Sequence, residues 1–312
     1  MIQVSGLTKQ YGDHIAVDHL SFTMETGQIH GFLGPNGAGK STTMNMITGC
    51  LAPTGGDVWL DGVNIFDEPE KIKGKIGYLP EIPPVYPDMT PREYLSFVAG
   101  LKGVPKKQIP AAVDEALEAT HITHMQNRLI GNLSKGYKQR VGISQAILGH
   151  PEIVILDEPT VGLDPRQILQ IRALIKELGK HHTVILSSHI LGEIQAVCDH
   201  ITIIAGGKLI ACDSKENLEK TYSRSYLELA CQAEPAAVTE ILAPLFPEEA
   251  LQFDREGQYL TCKADITENP ILPEAVFECF SKAGLPLHRL HCIDGSLEDL
   301  FLELTREGGS GQ

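Results

Sequence analysis

The sequence predicts an α/β fold, a parallel sheet covered by helices on both faces, with a smaller α+β domain after it. Up to about residue 220, short β-like runs alternate with helical ones. Several of those runs are apolar throughout, as strands buried on both faces are. After Thr221 the order becomes β-α-β-β-α-β-α, which fits a small sandwich of helices on a sheet.

In chain order, "QIHGFL" ending at Leu33 reads as a strand, and "KSTTMNMITG" from Lys40 as the helix it feeds. "EIVILDE", "QILQIRALIKELG" and "TVILSS" repeat the pattern between Glu152 and Ser188. Between the strand ending near Leu79 and the one beginning at Ile153 lies a long helical stretch, entered through the proline-rich "PEIPPVYPDMTP". It reads as a helical subdomain, about residues 82–150, inserted into an α/β domain of residues 1–220. Residues 221–306 supply the strands "YLELAC", "LQFD", "QYLTCKA" and "LPLHRLHCI", the helices "PAAVTEILAPLF" and "ILPEAVFECFSKAG", and a final "SLEDLFLELTRE". Residues 307–312 read as a disordered tail.

Composition narrows the function. A chain of 312 residues can bury a large core, and 26 basic against 40 acidic side chains leave a formal charge of −14. Such a surface repels a phosphate-rich polymer, so nucleic acid is not expected as a partner. No apolar run approaches the roughly 20 residues that cross a bilayer. The N-terminal "MIQVSGLTKQYG" has neither a basic segment nor an apolar one, so the chain is expected in the cytosol. Seven cysteines without paired spacing read as reduced and mostly buried thiols.

The chemistry begins at "GPNGAGKS". Gly34, Gly39, Lys40 and Ser41 match G-x-x-x-x-G-K-[ST] between a strand and a helix, the setting of a P-loop NTPase core. Glycines let backbone amides turn inward on phosphate oxygens, Lys40 reaches the terminal phosphates, and Ser41 offers a hydroxyl to Mg²⁺. In "IVILDEP" an apolar strand carries Asp157 to its C-terminal end, where a carboxylate holds magnesium. Glu158 follows, placed to poise a water for in-line attack. "LSKGYKQR" taken alone is a helix start, with Ser134 as cap and Lys135, Lys138 and Arg140 facing water. His121 and His124 in "HITH" lack a completing ligand set and read as exposed helix histidines. "KIKGK", Lys106 and Lys107 read as solvated faces, with anionic lipid headgroups as an alternative contact.

Together these motifs resemble, over almost all of residues 1–220, the ATP-binding subunit of ABC transporters, in the family's order. The resemblance implies ATP and Mg²⁺ as ligands. It places Tyr11 on adenine with Val17 beside it, and gives the phosphates to Gly34, Pro35, Asn36, Gly37, Ala38, Gly39, Lys40, Ser41 and Thr42. It implies Ser41, Glu81 and Asp157 as metal ligands, Glu158 and His189 as catalytic groups, and Asp164 in the D-loop. Ser134 and Gly136 of the signature would act on the nucleotide of an opposite chain. Two motifs depart from the common pattern: Glu81 stands for the Q-loop glutamine, and the signature has Lys135 and Tyr137 where LSGGQ has glycine and glutamine. With "GSLEDLFLELT", these departures look most like the ABC-2 exporter group. That implies a separate polytopic permease, a homodimer or a heterodimer with a related ATPase, and a peripheral place on the inner face of the membrane. The alternatives are a soluble ABC ATPase acting on ribosomes or DNA, and a P-loop signalling switch. The first lacks support in a single acidic cassette, and the second would carry neither signature nor switch histidine.

Overall fold

The computed structural model describes residues 1–222, 225–267 and 271–294. The chain divides into two compact units, between Lys215 and Glu216. In the first, β1 (Ile2–Tyr11) and β2 (His14–Met24) form a long antiparallel hairpin, and β3 (Ile29–Leu33) then enters a second sheet. Helix α1 (Lys40–Ile47) follows the glycine loop, and β4 (Gly55–Leu60) and β5 (Val63–Asn64) complete the first sheet in the order β2-β1-β4-β5. Short α2 (Pro69–Lys73) leads to β6 (Ile76–Leu79). The helical stretch supplies α3 (Pro91–Leu101), α4 (Ile109–Ala119) and α5 (Lys135–Ile147), after which β7 (Ile153–Asp157) returns to the second sheet. Next come α6 (Pro165–Leu178), β8 (Thr183–Ser188), α7 (Leu191–Val197), β9 (His200–Ala205) and β10 (Lys208–Ser214).

The second sheet runs β10-β9-β3-β8-β7-β6, parallel except for its β10 edge. Every residue of β3, β7 and β8 is buried, which is why their sequences are not alternating. The antiparallel N-terminal sheet is an addition to the expected architecture. It shares one core with the parallel sheet: Leu7, Leu20 and Val58 cluster with Phe32, Met44, Ile155 and Ile185. That core fixes the strand ends on which the loops below are mounted.

Local signals set the helix starts. Thr90 accepts from the Glu93 amide while Glu93 returns a bond to the Thr90 amide, a capping box before Pro91. Asp164 accepts from the Gln167 amide ahead of Pro165. At the other end of α5, Lys102 Nζ donates to the carbonyls of Gln145 (2.8 Å), Ala146 (3.2 Å) and Leu148 (2.9 Å). An ammonium at a helix C-terminus satisfies carbonyls that have no intrahelical partner. Lys102→Ala is therefore expected to lower stability by about 1–2 kcal/mol in urea unfolding, with no change in the unfolding slope.

The second unit contains α8 (Lys215–Tyr222) at the junction, then β11 (Ser225–Cys231), α9 (Pro235–Leu242), β12 (Leu251–Glu256), β13 (Tyr259–Asp265), α10 (Pro273–Lys282) and β14 (Leu287–Asp294). Its antiparallel sheet has the order β12-β13-β11-β14, a split β-α-β arrangement. Leu227, Leu229, Cys262, Val238, Val276 and Phe280 form its core. The final helix expected at "SLEDLFLELTRE" and the tail at 307–312 lie outside the described residues. The seven cysteines are unpaired; Cys198, Cys231 and Cys262 are buried, while Cys50, Cys212 and Cys292 are exposed, so fewer are buried than expected. No helix among the described residues is long and apolar enough to cross a membrane.

Candidate active site

The loop between β3 and α1 has the geometry of an anion cradle. Gly37 (φ 80°) and Gly39 (φ 98°) take left-handed backbone conformations. A β-carbon on Gly39 would lie 2.5 Å from the Ala16 carbonyl oxygen, so only glycine lets the loop close against β2. The first amides of α1, which have no partner within their own helix, open at a cavity of about 550 Å³ lined by Asn36, Gly37, Lys40, Ser41 and Thr42. Lys40 is buried, its Nζ donating to Gly34 O (2.8 Å) and Pro35 O (3.1 Å) and lying 3.3 Å from Glu158 Oε1. The same cavity holds Tyr11, Glu81, Glu158 and His189. Tyr11 is half exposed at its rim, with Lys9 Nζ 5.3 Å from the ring centroid.

One serine ties together the two acidic residues at the end of β7, through the carboxylate of the first and the backbone amide of the second. Glu158 N donates to Ser187 Oγ at 2.9 Å, and Ser187 Oγ donates to Asp157 Oδ1 at 2.5 Å. Both carboxylates are buried, and Glu158 sits at φ 46°. Its Oε2 meets His189 Nδ1 at 2.9 Å. Glu158 thus bridges a lysine and a histidine, each placed by a different loop, at the C-terminal ends of parallel strands where open α/β sheets gather ligands. This constellation can hold terminal phosphates through Lys40 and take a proton from a water through Glu158.

The remaining expected residues fall differently. Asp157 is 1% exposed and is not among the residues that line the cavity. Val17 does not reach the cavity: it is wholly buried, packed behind Gly39, and Ala16 and His14 line the wall instead. The alternation of β2 accounts for this, since neighbouring residues of a strand face opposite sides. Ser134 and Gly136 line a separate groove of about 1490 Å³ together with Asp164, Tyr137 and Gln167. Ser134 precedes α5 but its side chain makes no capping bond, contrary to the simple helix-start reading. Arg140 does not face water. It is buried and donates to Thr120 O (2.7 Å) and Gln170 Oε1 (3.2 Å), because α5 is enclosed on that side by α4 and α6. A β-carbon on Gly136 would lie 2.8 Å from Gln167, and one on Gly162 2.2 Å from Lys135 Nζ, so the Lys135 ammonium rests on the D-loop. Tyr137 meets His124, Nε2 to hydroxyl 3.1 Å, with the two rings edge to face.

Sequence reasoning missed Ser187, Thr160 and Glu193. Thr160 Oγ1 donates to buried Glu193 Oε2 at 2.5 Å, and Ser188 Oγ donates to the same oxygen at 3.0 Å. The pair of serines before His189 was the available signal for Ser187.

The fold and this site define a P-loop ATPase. A family model described as ABC transporter matches residues 17–161. The chain is 37% identical over 313 residues to the bacitracin transport ATP-binding protein BcrA of Bacillus licheniformis, covering 100% of this chain and 99% of that one. It is 37% identical over 309 residues to the linearmycin resistance ATP-binding protein LnrL of Bacillus subtilis, with 98% of each covered. Among solved structures, an ATP-binding subunit of an ABC transporter superposes with a TM-score of 0.63 at 29% identity, covering 71% of this chain and 93% of that one. The dimeric post-hydrolysis state of the cassette MJ0796, bound to ADP and Pi, superposes with a TM-score of 0.62 at 25% identity, covering 69% and 98%. The chain belongs to the ATP-binding subunits of ABC transporters, and it is an ATPase.

Proposed function

We propose that two copies of this chain, or this chain and a related ATPase, close head to tail around two molecules of ATP with Mg²⁺. Closure drives a separate polytopic permease, for export, from the inner face of the cell membrane. The observation that carries this reading is the division of the machinery: Lys40, Glu158 and His189 share one cavity, while Ser134 and Gly136 line another. A signature without a phosphate partner in its own chain finds one in a second copy.

In each site the glycine loop from Gly34 to Thr42 binds the phosphates and Tyr11 stacks on the base. Ser41 and Glu81 line the cavity beside Lys40, and Asp157 ends β7 next to the cavity residue Glu158, a donor set of hydroxyl and carboxylate oxygens that suits Mg²⁺. When bound, the ion neutralises charge on the transferring phosphoryl group. Glu158 accepts the proton of the attacking water, and His189 orients that carboxylate through its 2.9 Å contact. Asp164 holds the start of α6 beside Ser134 and Gly136. Export is supported by the transport and resistance named for the two Bacillus relatives.

An apolar patch on the helical stretch gives the permease a place to dock. Tyr86, Phe97 and Leu101 are 47%, 44% and 72% exposed, and the Tyr86 and Phe97 rings meet edge to face with centroids 6.0 Å apart. Clusters of this kind mark interaction sites. Phe97→Glu with Leu101→Glu is expected to reduce the membrane-bound fraction about tenfold while leaving soluble ATP turnover within about twofold. Fractionating native membranes checks the first point, and phosphate release by the purified soluble chain checks the second. Co-purification with a polytopic chain supports the reading, and pelleting with ribosomes or DNA would replace it.

A further inference from the structure

We propose that Glu193 is a positioning residue for hydrolysis, holding the turn that carries Glu158 against the turn that carries His189. Glu193 lies in the first turn of α7 and is 4% exposed. No lysine or arginine pairs with it among the described residues. Burying a carboxylate without a cation is costly unless hydrogen bonds replace its water. Here two hydroxyls do so, and they come from different places in the chain. Thr160, two residues after Glu158, donates from the turn that follows β7; Ser188, the residue before His189, donates from the end of β8. Ser188 Oγ also accepts the Ile190 amide at 3.0 Å, so the backbone on both sides of His189 is tied into the same network.

Among the described residues, the Glu158 turn is otherwise held to β8 only at its beginning, where Ser187 engages Asp157 and the Glu158 amide. Its further course is closed by local bonds, Val161 N to Glu158 O (3.2 Å) and Leu163 N to Thr160 O (3.1 Å). Those bonds shape the turn and do not locate it. Glu193 supplies the second attachment, 33 residues away in sequence. With both in place, the 2.9 Å contact between Glu158 Oε2 and His189 Nδ1 follows from the fold. With Glu193 removed, the turn swings about the Ser187 attachment and the reacting carboxylate moves, while Lys40 and the glycine loop, mounted on α1, stay where they are.

The inference rests on the roles given above to Glu158 and His189, and the test separates the two. ATP turnover of the full chain is measured for Glu193→Ala, Glu193→Gln, Thr160→Val and the double variant Thr160→Val with Glu193→Ala, beside Glu158→Gln. Glu193→Ala is expected to reduce kcat by about tenfold to a hundredfold, with KM for ATP within about threefold. Thr160→Val keeps the side-chain shape and loses one hydroxyl, so it reduces kcat in the same sense. The double variant falls no further than Glu193→Ala alone, because both lesions break one network. Glutamine keeps a carbonyl oxygen for the two hydroxyls and restores most of the turnover. If Glu193→Ala does not fold, Thr160→Val with an unaltered unfolding midpoint carries the comparison. Unchanged kcat in Thr160→Val and Glu193→Ala, additive losses, or KM and kcat falling together would overturn the proposal. Full turnover in Glu158→Gln would instead remove the reading on which it rests.

Discussion

Glu158→Gln is expected to bind ATP and to hydrolyse it slower by about two orders of magnitude or more. Glutamine has the shape of glutamate, so the contact with His189 and the amide bond to Ser187 survive. What it lacks is the capacity to take a proton from water. Its second effect is on binding. Lys40 Nζ lies 3.3 Å from Glu158 Oε1 and donates to two loop carbonyls, so a phosphate held by the glycine loop competes with that carboxylate for the lysine. An amide competes less, and it also removes a negative charge beside the terminal phosphate. ATP-bound dimers should therefore accumulate on a sizing column while phosphate release nearly stops. Near-normal release would show that another group activates the water.

The second large effect is a recovery. Lys40→Ala strips the glycine loop of the charge that binds terminal phosphates, and Ser134→Arg fills the groove at the start of α5. Each homodimer is expected to be almost inactive. In a mixed dimer with sites shared across the interface, both lesions fall in one composite site and the other is intact. Equal mixing makes half of the dimers mixed, so turnover should return to about one quarter of the wild-type value if the sites act independently. If each site is built within one chain, no site is intact in any dimer and mixing restores nothing. Because obligatory cooperation between sites would also suppress turnover, retention of one ATP per mixed dimer is measured alongside it. A mixed dimer that neither hydrolyses nor retains ATP would count against the trans assignment.

The parts of the site that were legible in the sequence are those whose chemistry is consecutive. From Gly34 to Thr42 one loop and one helix start contain the whole phosphate cradle, and the same holds for the strand ending in Asp157 and Glu158. Thr160 and Glu193 were not legible because they lie 33 residues apart and their residue types are ordinary in turns and helices, and Ser187, 30 residues from Asp157, was marked only by the serine pair before His189. Arg140 was misread for the same reason. A cation in a helix start points to water unless distant carbonyls are brought to it, and Thr120 and Gln170 are brought by packing alone. Strand runs buried on both faces identified the parallel sheet. The N-terminal antiparallel sheet went unannounced because β1 and β2 pair through three irregular steps that break a simple alternation.

Glu158 holds a backbone angle of φ 46°, a region that costs a residue with a β-carbon about 1–2 kcal/mol and glycine almost nothing. At this one position the most comfortable residue and the useful residue are different. A lineage released from the need to hydrolyse ATP would gain stability by losing this side chain, so drift runs downhill toward glycine or asparagine. Among descendants of such a gene, an intact fold with a glycine after the aspartate would be the mark of a subunit that still clasps nucleotide and has ceased to consume it.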